Sequence, residues 1–142
     1  MNGKIFVDTN IFIYAHDIDS GPKHDIAASI IETLWKNKAG IISTQVLQEF
    51  YVNVTRKIKM RLTRTQARGV IENYLVWHLE LNGPDTILLA SEIEERHHLS
   101  FWDAMILAAA RNAEAEKILT EDLNPGQIVE GILIENPFLD TG

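Results

Sequence analysis

The chain contains no cysteine, so it holds neither a disulfide framework nor a thiolate metal site, and a reducing, cytoplasmic setting suits it. It also lacks any run approaching the ~18 apolar residues of a membrane span. The longest candidates, Ile11–Ala15 and Ala104–Ala110, fall far short. The opening Met1-Asn2-Gly3-Lys4 passes straight into Ile5-Phe6-Val7, without the apolar region and small-residue cleavage site of a secretory leader. Proline and glycine are sparse, at 4 and 8 residues, and no linker, repeat or low-complexity tract divides the chain. Positive charge is scarce as well. With 13 Lys and Arg against 20 Asp and Glu the net charge is −7, which argues against a protein that coats nucleic acid generally.

What is present is enough for one core. A length of 142 residues and a hydrophobic fraction of 46% fit a single domain over residues 1–142. The few bases are unevenly spread. Arg56, Lys57, Lys59, Arg61, Arg64 and Arg68 are six of the 13, with no acid between Glu49 and Glu72. From Asp85 onward 12 acids face three bases. One short basic segment thus sits on an acidic protein, either as a solvated helix end and loop or as a place for phosphates. Arg56, Lys57, Lys59 and Arg61 are its candidate nucleic-acid contacts.

Short apolar runs alternate with helical patterns, which predicts an α/β domain with a largely parallel sheet. Lys4–Val7, Gly40–Ile42, Trp77–Leu81, Lys117–Thr120 and Ile132–Ile134 read as strands. Pro22 opens a helix with Ile26, Ile30, Ile31, Leu34 and Trp35 on one face, closed by Lys36, Lys38 and Gly40. Ser43 suits an N-cap before a helix bearing Val46, Leu47, Phe50, Tyr51 and Val54. Thr63-Arg64-Thr65-Gln66 has capping-box form. Pro84–His98 reads as helix, and Ser100–Glu116 as another, nearly all apolar in its first turns. The expected architecture is a three-layer α/β/α sandwich around a mainly parallel five-stranded sheet.

Ligands of open parallel sheets bind at the carboxyl ends of strands, where strand order reverses. Asp8 directly follows one predicted strand and Asp122 another. Asp103 lies in the first turn of a helix apolar all round, hence buried, so its carboxylate points to a poorly solvated place. No nearby Lys or Arg is an obvious partner for all three, and a hard divalent cation would relieve their repulsion. Oxygen ligands without Cys or a helical His pair favour Mg²⁺ or Mn²⁺ over zinc. Each acid also has a plain structural role open to it. Asp8 can bond a turn, Asp103 can close a box with Ser100, and Asp122 precedes the turn-prone Leu123-Asn124-Pro125-Gly126. Glu49 falls with Gln45 and Asn53 on the polar flank of its helix, which by itself indicates solvent.

Four blocks carry a resemblance. Phe6-Val7-Asp8-Thr9-Asn10-Ile11-Phe12-Ile13-Tyr14-Ala15 resembles the opening strand and first helix of PIN domains. Leu47-Gln48-Glu49-Phe50-Tyr51 is similar to their second acidic block, Phe101-Trp102-Asp103-Ala104-Met105-Ile106 to the third, and Ile118-Leu119-Thr120-Glu121-Asp122-Leu123 to the fourth. They stand in family order over nearly the whole chain, as in compact VapC-type toxins. The resemblance implies a four-carboxylate pocket of Asp8, Glu49, Asp103 and Asp122 holding Mg²⁺ or Mn²⁺, supported by Asn10 and Thr120. It further implies an endoribonuclease with an RNA substrate, a cognate antitoxin protein and a homodimer, but no membrane. The alternative is a non-catalytic PIN-like scaffold that binds RNA or protein.

Other features are weaker. His97-His98 ends a polar helix and reads as solvated. His16, Asp17 and Asp19 form a polar loop more readily than a metal cluster, and Trp102 reads as a core or rim aromatic before a base-stacking one. Two further aspartate chemistries fit poorly. A phosphohydrolase needs a second Asp two residues after the first, where Asn10 stands. A receiver domain needs a Lys after its last strand, and Ile132-Leu133-Ile134-Glu135-Asn136 offers none.

Overall fold

The β-branched and aromatic run Ile5–Val7 forms β1, and Phe6 and Val7 are fully buried in the centre of the sheet. The structure, a computed structural model, describes residues 3–139. In chain order β1 is followed by α1 (Thr9–His16), α2 (Pro22–Asn37), β2 (Gly40–Ser43), α3 (Thr44–Arg56) and α4 (Arg64–Tyr74). Then come β3 (His78–Glu80), α5 (Pro84–His97), α6 (Phe101–Asn112), β4 (Lys117–Leu119), β5 (Ile128–Val129) and β6 (Ile132–Glu135). The strands make one sheet in the order β3-β2-β1-β4-β6-β5. Every pairing is parallel except β5 with β6. Helices cover both sides, so the expected α/β/α layering holds.

The sheet has six strands where five were expected. The extra strand, β5, is only two residues long and joins β6 through Glu130 and Gly131, both at positive φ (54° and 79°). Two left-handed turn residues are what a tight hairpin demands, but Glu-Gly lacks the usual Asn-Gly signal. Its two apolar residues are too few for any period to show.

Helix ends follow local chemistry. Ser43 Oγ accepts the Val46 N–H at the start of α3, and Thr63 with Gln66 makes the full capping box of α4. At the end of α2 it is Lys38, not Gly40, that turns left-handed (φ 58°). Gly40 has another task, since any Cβ there would stand 2.3 Å from the Trp77 ring packed against β2. Helix α6 stops at Asn112, four residues short of the expected end. The chain must leave the helix to enter β4, and Glu114 makes that turn at φ 59°. As expected of a helix apolar all round, Ala104–Ala110 are buried without exception.

Strand order places the functional edge. From β1 the chain winds outward through β2 to β3, then crosses over to β4 on the other side of β1. The reversal between β1 and β4 opens a crevice beyond their carboxyl ends. Asp8 and Thr120 are the first residues past those two strands.

Candidate acidic active site

Asp8 is held more firmly than the other acids. Its backbone N–H donates to the Leu119 carbonyl (3.0 Å), continuing the β1–β4 pairing one step past the strand. Its side chain N-caps α1, accepting the Thr9 N–H at 2.7 Å. Thr120 Oγ1, fully buried, donates to the other carboxylate oxygen at 2.8 Å. Burial raises the Asp8 pKa; the bonds from Thr120 and Thr9 lower it, and the charges of Asp122 and Glu49 raise it again, to about 6. Thr120 Oγ1 also accepts the Asp122 N–H (3.1 Å), so one hydroxyl fixes two of the four acids.

Asp122 is exposed beyond β4, and the Asn10 amide approaches both its oxygens at 3.3 and 3.4 Å. Its pKa is raised by partial burial and by the charges of Asp103, Glu121 and Glu49. Asp103 sits in the first turn of α6. Its N–H donates to Ser100 Oγ (3.1 Å), but among the described residues its carboxylate does not return the bond, and it lines the pocket instead. Glu49, on the second turn of α3, accepts the Thr9 hydroxyl at 2.5 Å. Gln45 lies one turn before it, with long contacts from Nε2 to Glu49 (3.5 Å) and to the Trp102 carbonyl (3.4 Å).

All four predicted acids therefore line one cavity of about 420 Å³. The solvated reading of Glu49 fails, because the polar flank of α3 is itself the pocket wall: Gln45, Gln48, Glu49, Val52 and Asn53 recur at helical spacing along it. Asn10 bonds to Asp122, and Thr120 bonds to both Asp8 and Asp122. Thr9 and Gln45 were not anticipated. Thr9 lay between two singled-out residues, Asp8 and Asn10, and a hydroxyl at a helix start was its only signal. Of the basic segment only Lys57 reaches the cavity; Arg56, Lys59 and Arg61 are exposed and do not line it.

The structure also places the remaining candidates. His97 is only partly solvated, its Nε2 meeting Glu130 at 2.8 Å, while His98 is exposed as expected. His16, the last residue of α1, meets the Tyr74 hydroxyl at 2.8 Å, and Asp17 caps a short turn through the Asp19 N–H, so the expected polar loop begins at Asp17. Leu47, Phe50 and Val54 are core, and Tyr51 packs against it partly buried.

The donors suit a hard divalent cation by chemistry: four carboxylates and neighbouring amide and hydroxyl oxygens, no sulfur, and no Lys or Arg ion pair to any of the four among the described residues. The side chains are not drawn into a finished cage. Among the described residues no three acidic or imidazole groups converge closely enough to hold an ion.

An acidic crevice at the switch point of a parallel α/β sheet is the arrangement on which known proteins can be compared. The PIN domain model matches residues 5–129, and the chain belongs to that family. Solved structures with the same fold include the sarcin-ricin loop cleaving toxin VapC20 of Mycobacterium tuberculosis (TM-score 0.62, 23% identity, 81% of this chain and 87% of that one). A toxin–antitoxin complex from Klebsiella pneumoniae aligns with TM-score 0.69 and 21% identity over 95% of this chain and 98% of that one. VapBC2 of Rickettsia felis, bound to a DNA fragment from its promoter, aligns with TM-score 0.63 and 19% identity over 93% and 97%. No curated protein matches significantly by sequence. No helix among the described residues is long and apolar enough to cross a membrane.

Proposed function

We propose that this protein is a Mg²⁺- or Mn²⁺-dependent endoribonuclease and the toxin of a toxin–antitoxin pair. The observation that carries the reading is the unpaired acidic quartet. Four carboxylates from four separate elements face one crevice, where Lys57 is the one basic residue in the lining. Among the described residues no Lys or Arg is ion-paired to any of the four, and two of them are pushed toward the protonated form. Such an arrangement is costly unless a ligand of positive charge repays it.

Asp8, Glu49, Asp103 and Asp122 would hold the metal, which when bound supplies an activated water and charge stabilisation for phosphodiester hydrolysis. Thr120 and Thr9 keep Asp8 in one orientation, and the Thr9 hydroxyl does the same for Glu49. Asn10 steadies Asp122 across the crevice. Lys57, at the rim, offers a phosphate contact, with Arg56, Lys59 and Arg61 on the adjoining chain adding to the local field. Incubation of a mixed RNA pool with and without Mn²⁺ tests the activity directly. Cleavage only with the metal is the expected outcome, and binding without cleavage would leave a non-catalytic scaffold.

The partner follows from the same charge. The Klebsiella and Rickettsia neighbours are solved as toxin–antitoxin complexes. For this chain we infer a small antitoxin that seats a basic side chain among the carboxylates, in place of the metal, through charge-assisted bonds. Expression alone should arrest a host cell, and co-expression of the adjacent small reading frame should rescue it. A homodimer is part of the proposal and is read from the mass in solution.

A further inference from the structure

Trp102 stands out among the aromatic side chains. It is 64% exposed, the most exposed of the large rings, although it immediately precedes Asp103 and lines the same cavity as the four acids. An exposed indole gives up the stabilisation that burying its large apolar surface would bring. Its position is nevertheless fixed. Phe101 packs edge-on against it, with ring centroids 5.4 Å apart at 76°. Its carbonyl faces the amide of Gln45, a residue only 6% exposed whose Oε1 has no partner among the described residues. The ring thus presents an exposed apolar face beside the carboxylates, with the amide-bearing face of α3 and Lys57 on the same cavity.

From this geometry we propose that Trp102 is the stacking surface for an RNA base next to the scissile phosphate. The proposal rests on the nuclease reading and sharpens it. A base paired and stacked inside a duplex has no free face to offer, whereas an unstacked base presents one to an aromatic ring. Stacking is tolerant of sequence, so Trp102 selects for unpaired structure more than for a particular base. The cavity sets polar groups beside exposed apolar carbon, a mixture that suits a nucleotide, whose phosphate and base edges can meet Lys57, Gln48 and Asn53 while the base face meets the ring.

The test separates binding from cleavage. A short unstructured RNA is titrated without metal into wild type, Trp102→Phe, Trp102→Ala and Trp35→Phe, following tryptophan fluorescence and affinity. The expected result is quenching that survives Trp35→Phe, near-wild-type affinity for Trp102→Phe, and a loss of roughly tenfold or more for Trp102→Ala. The same RNA annealed to its complement should bind more weakly. Unchanged affinity in Trp102→Ala, or equal binding of the duplex, would overturn the proposal and leave the ring to a protein partner. Cleavage is then assayed with Mn²⁺. If Trp102→Ala cuts as well as wild type, stacking is refuted while the nuclease stands. If wild type binds with Trp102-dependent quenching but cuts nothing, the nuclease reading falls and the stacking site remains.

Discussion

Glu130 and Asp8 are both largely withdrawn from water, with 9% of the Glu130 side chain and 6% of Asp8 exposed, yet the fold treats them in opposite ways. Glu130, at the hairpin between β5 and β6, receives Arg96 through two bonds (2.9 and 3.3 Å), Arg111 at 2.6 Å and His97 at 2.8 Å. Burial alone would push its pKa up. The bonds from His97 and Arg96 and the charges of Arg96 and Arg111 outweigh that and hold it low. For Asp8 burial is the main cause of a pKa raised to about 6; it receives only a hydroxyl and an N–H in compensation, and the charges of Asp122 and Glu49 push the same way as burial. A carboxylate meant for architecture is given cations by the chain. In the proposed reading, one left without them awaits a cation that arrives later, and that contrast, more than the number of acids, supports the choice of site.

The largest effect should separate the two clusters by activity. Asp8→Asn and Asp103→Asn keep side-chain shape but remove ligand charge, so RNA cleavage should fall at least about a hundredfold while circular dichroism stays native. Glu130→Gln should cut normally but lose about 1–2 kcal/mol of stability in urea, since its partially solvated cations screen the loss. If Glu130→Gln abolished cleavage in a folded protein, the division between structural and functional carboxylates would break.

Acid–base behaviour sharpens the same contrast through its sign. The folded pKa of Asp8, about 6, lies above its unfolded value near 3.8, so the unfolded chain gives up this proton first. Metal-free protein should therefore lose stability as pH rises from about 4 to 6, by on the order of 3 kcal/mol. Glu130 works the other way: its folded pKa is lowered from 4.5, so its contribution is present above that value and is lost as pH falls through the folded pKa. Urea melts across pH in EDTA should show Asp8→Asn flattening the first trend and Glu130→Gln the second. A pH profile of Asp8→Asn indistinguishable from wild type would remove the argument that Asp8 is a buried carboxylate without a compensating cation.

The smallest effect concerns the basic segment. Lys57 lines the cavity and its three companions do not. Lys57→Gln should weaken RNA binding and reduce the salt slope by about 1, with smaller changes for Lys59→Gln or Arg61→Gln. Equal effects at all three positions would point to a diffuse field in place of a contact.

Much of this was readable from residues because local signals agreed with the fold. Five strands announced themselves as apolar runs, and Ser43, Thr63 and Ser100 began helices as their side chains predicted. Asp8 and Asp122 could be placed by their positions after strands. Glu49 came from resemblance alone, since helical periodicity distinguishes polar from apolar faces but not solvent from a polar crevice. The His97–Glu130 contact joins residues 33 apart across a hairpin that itself left no signature. Trp102 illustrates the same limit: its burial depends on what α3 and α6 leave open between them, a property of packing and not of sequence spacing.

The most direct test of the central claim is a thermal melt at pH 7 with increasing Mn²⁺, on wild type and Asp8→Asn, after treatment with EDTA. A cation that binds only the folded pocket should raise the wild-type melting temperature, by the equivalent of about 2.7 kcal/mol at a hundredfold excess over its dissociation constant. The Asp8→Asn protein should respond far less. An equal rise in both proteins, or no rise in either, would contradict the account that this quartet is left unpaired to receive a metal ion.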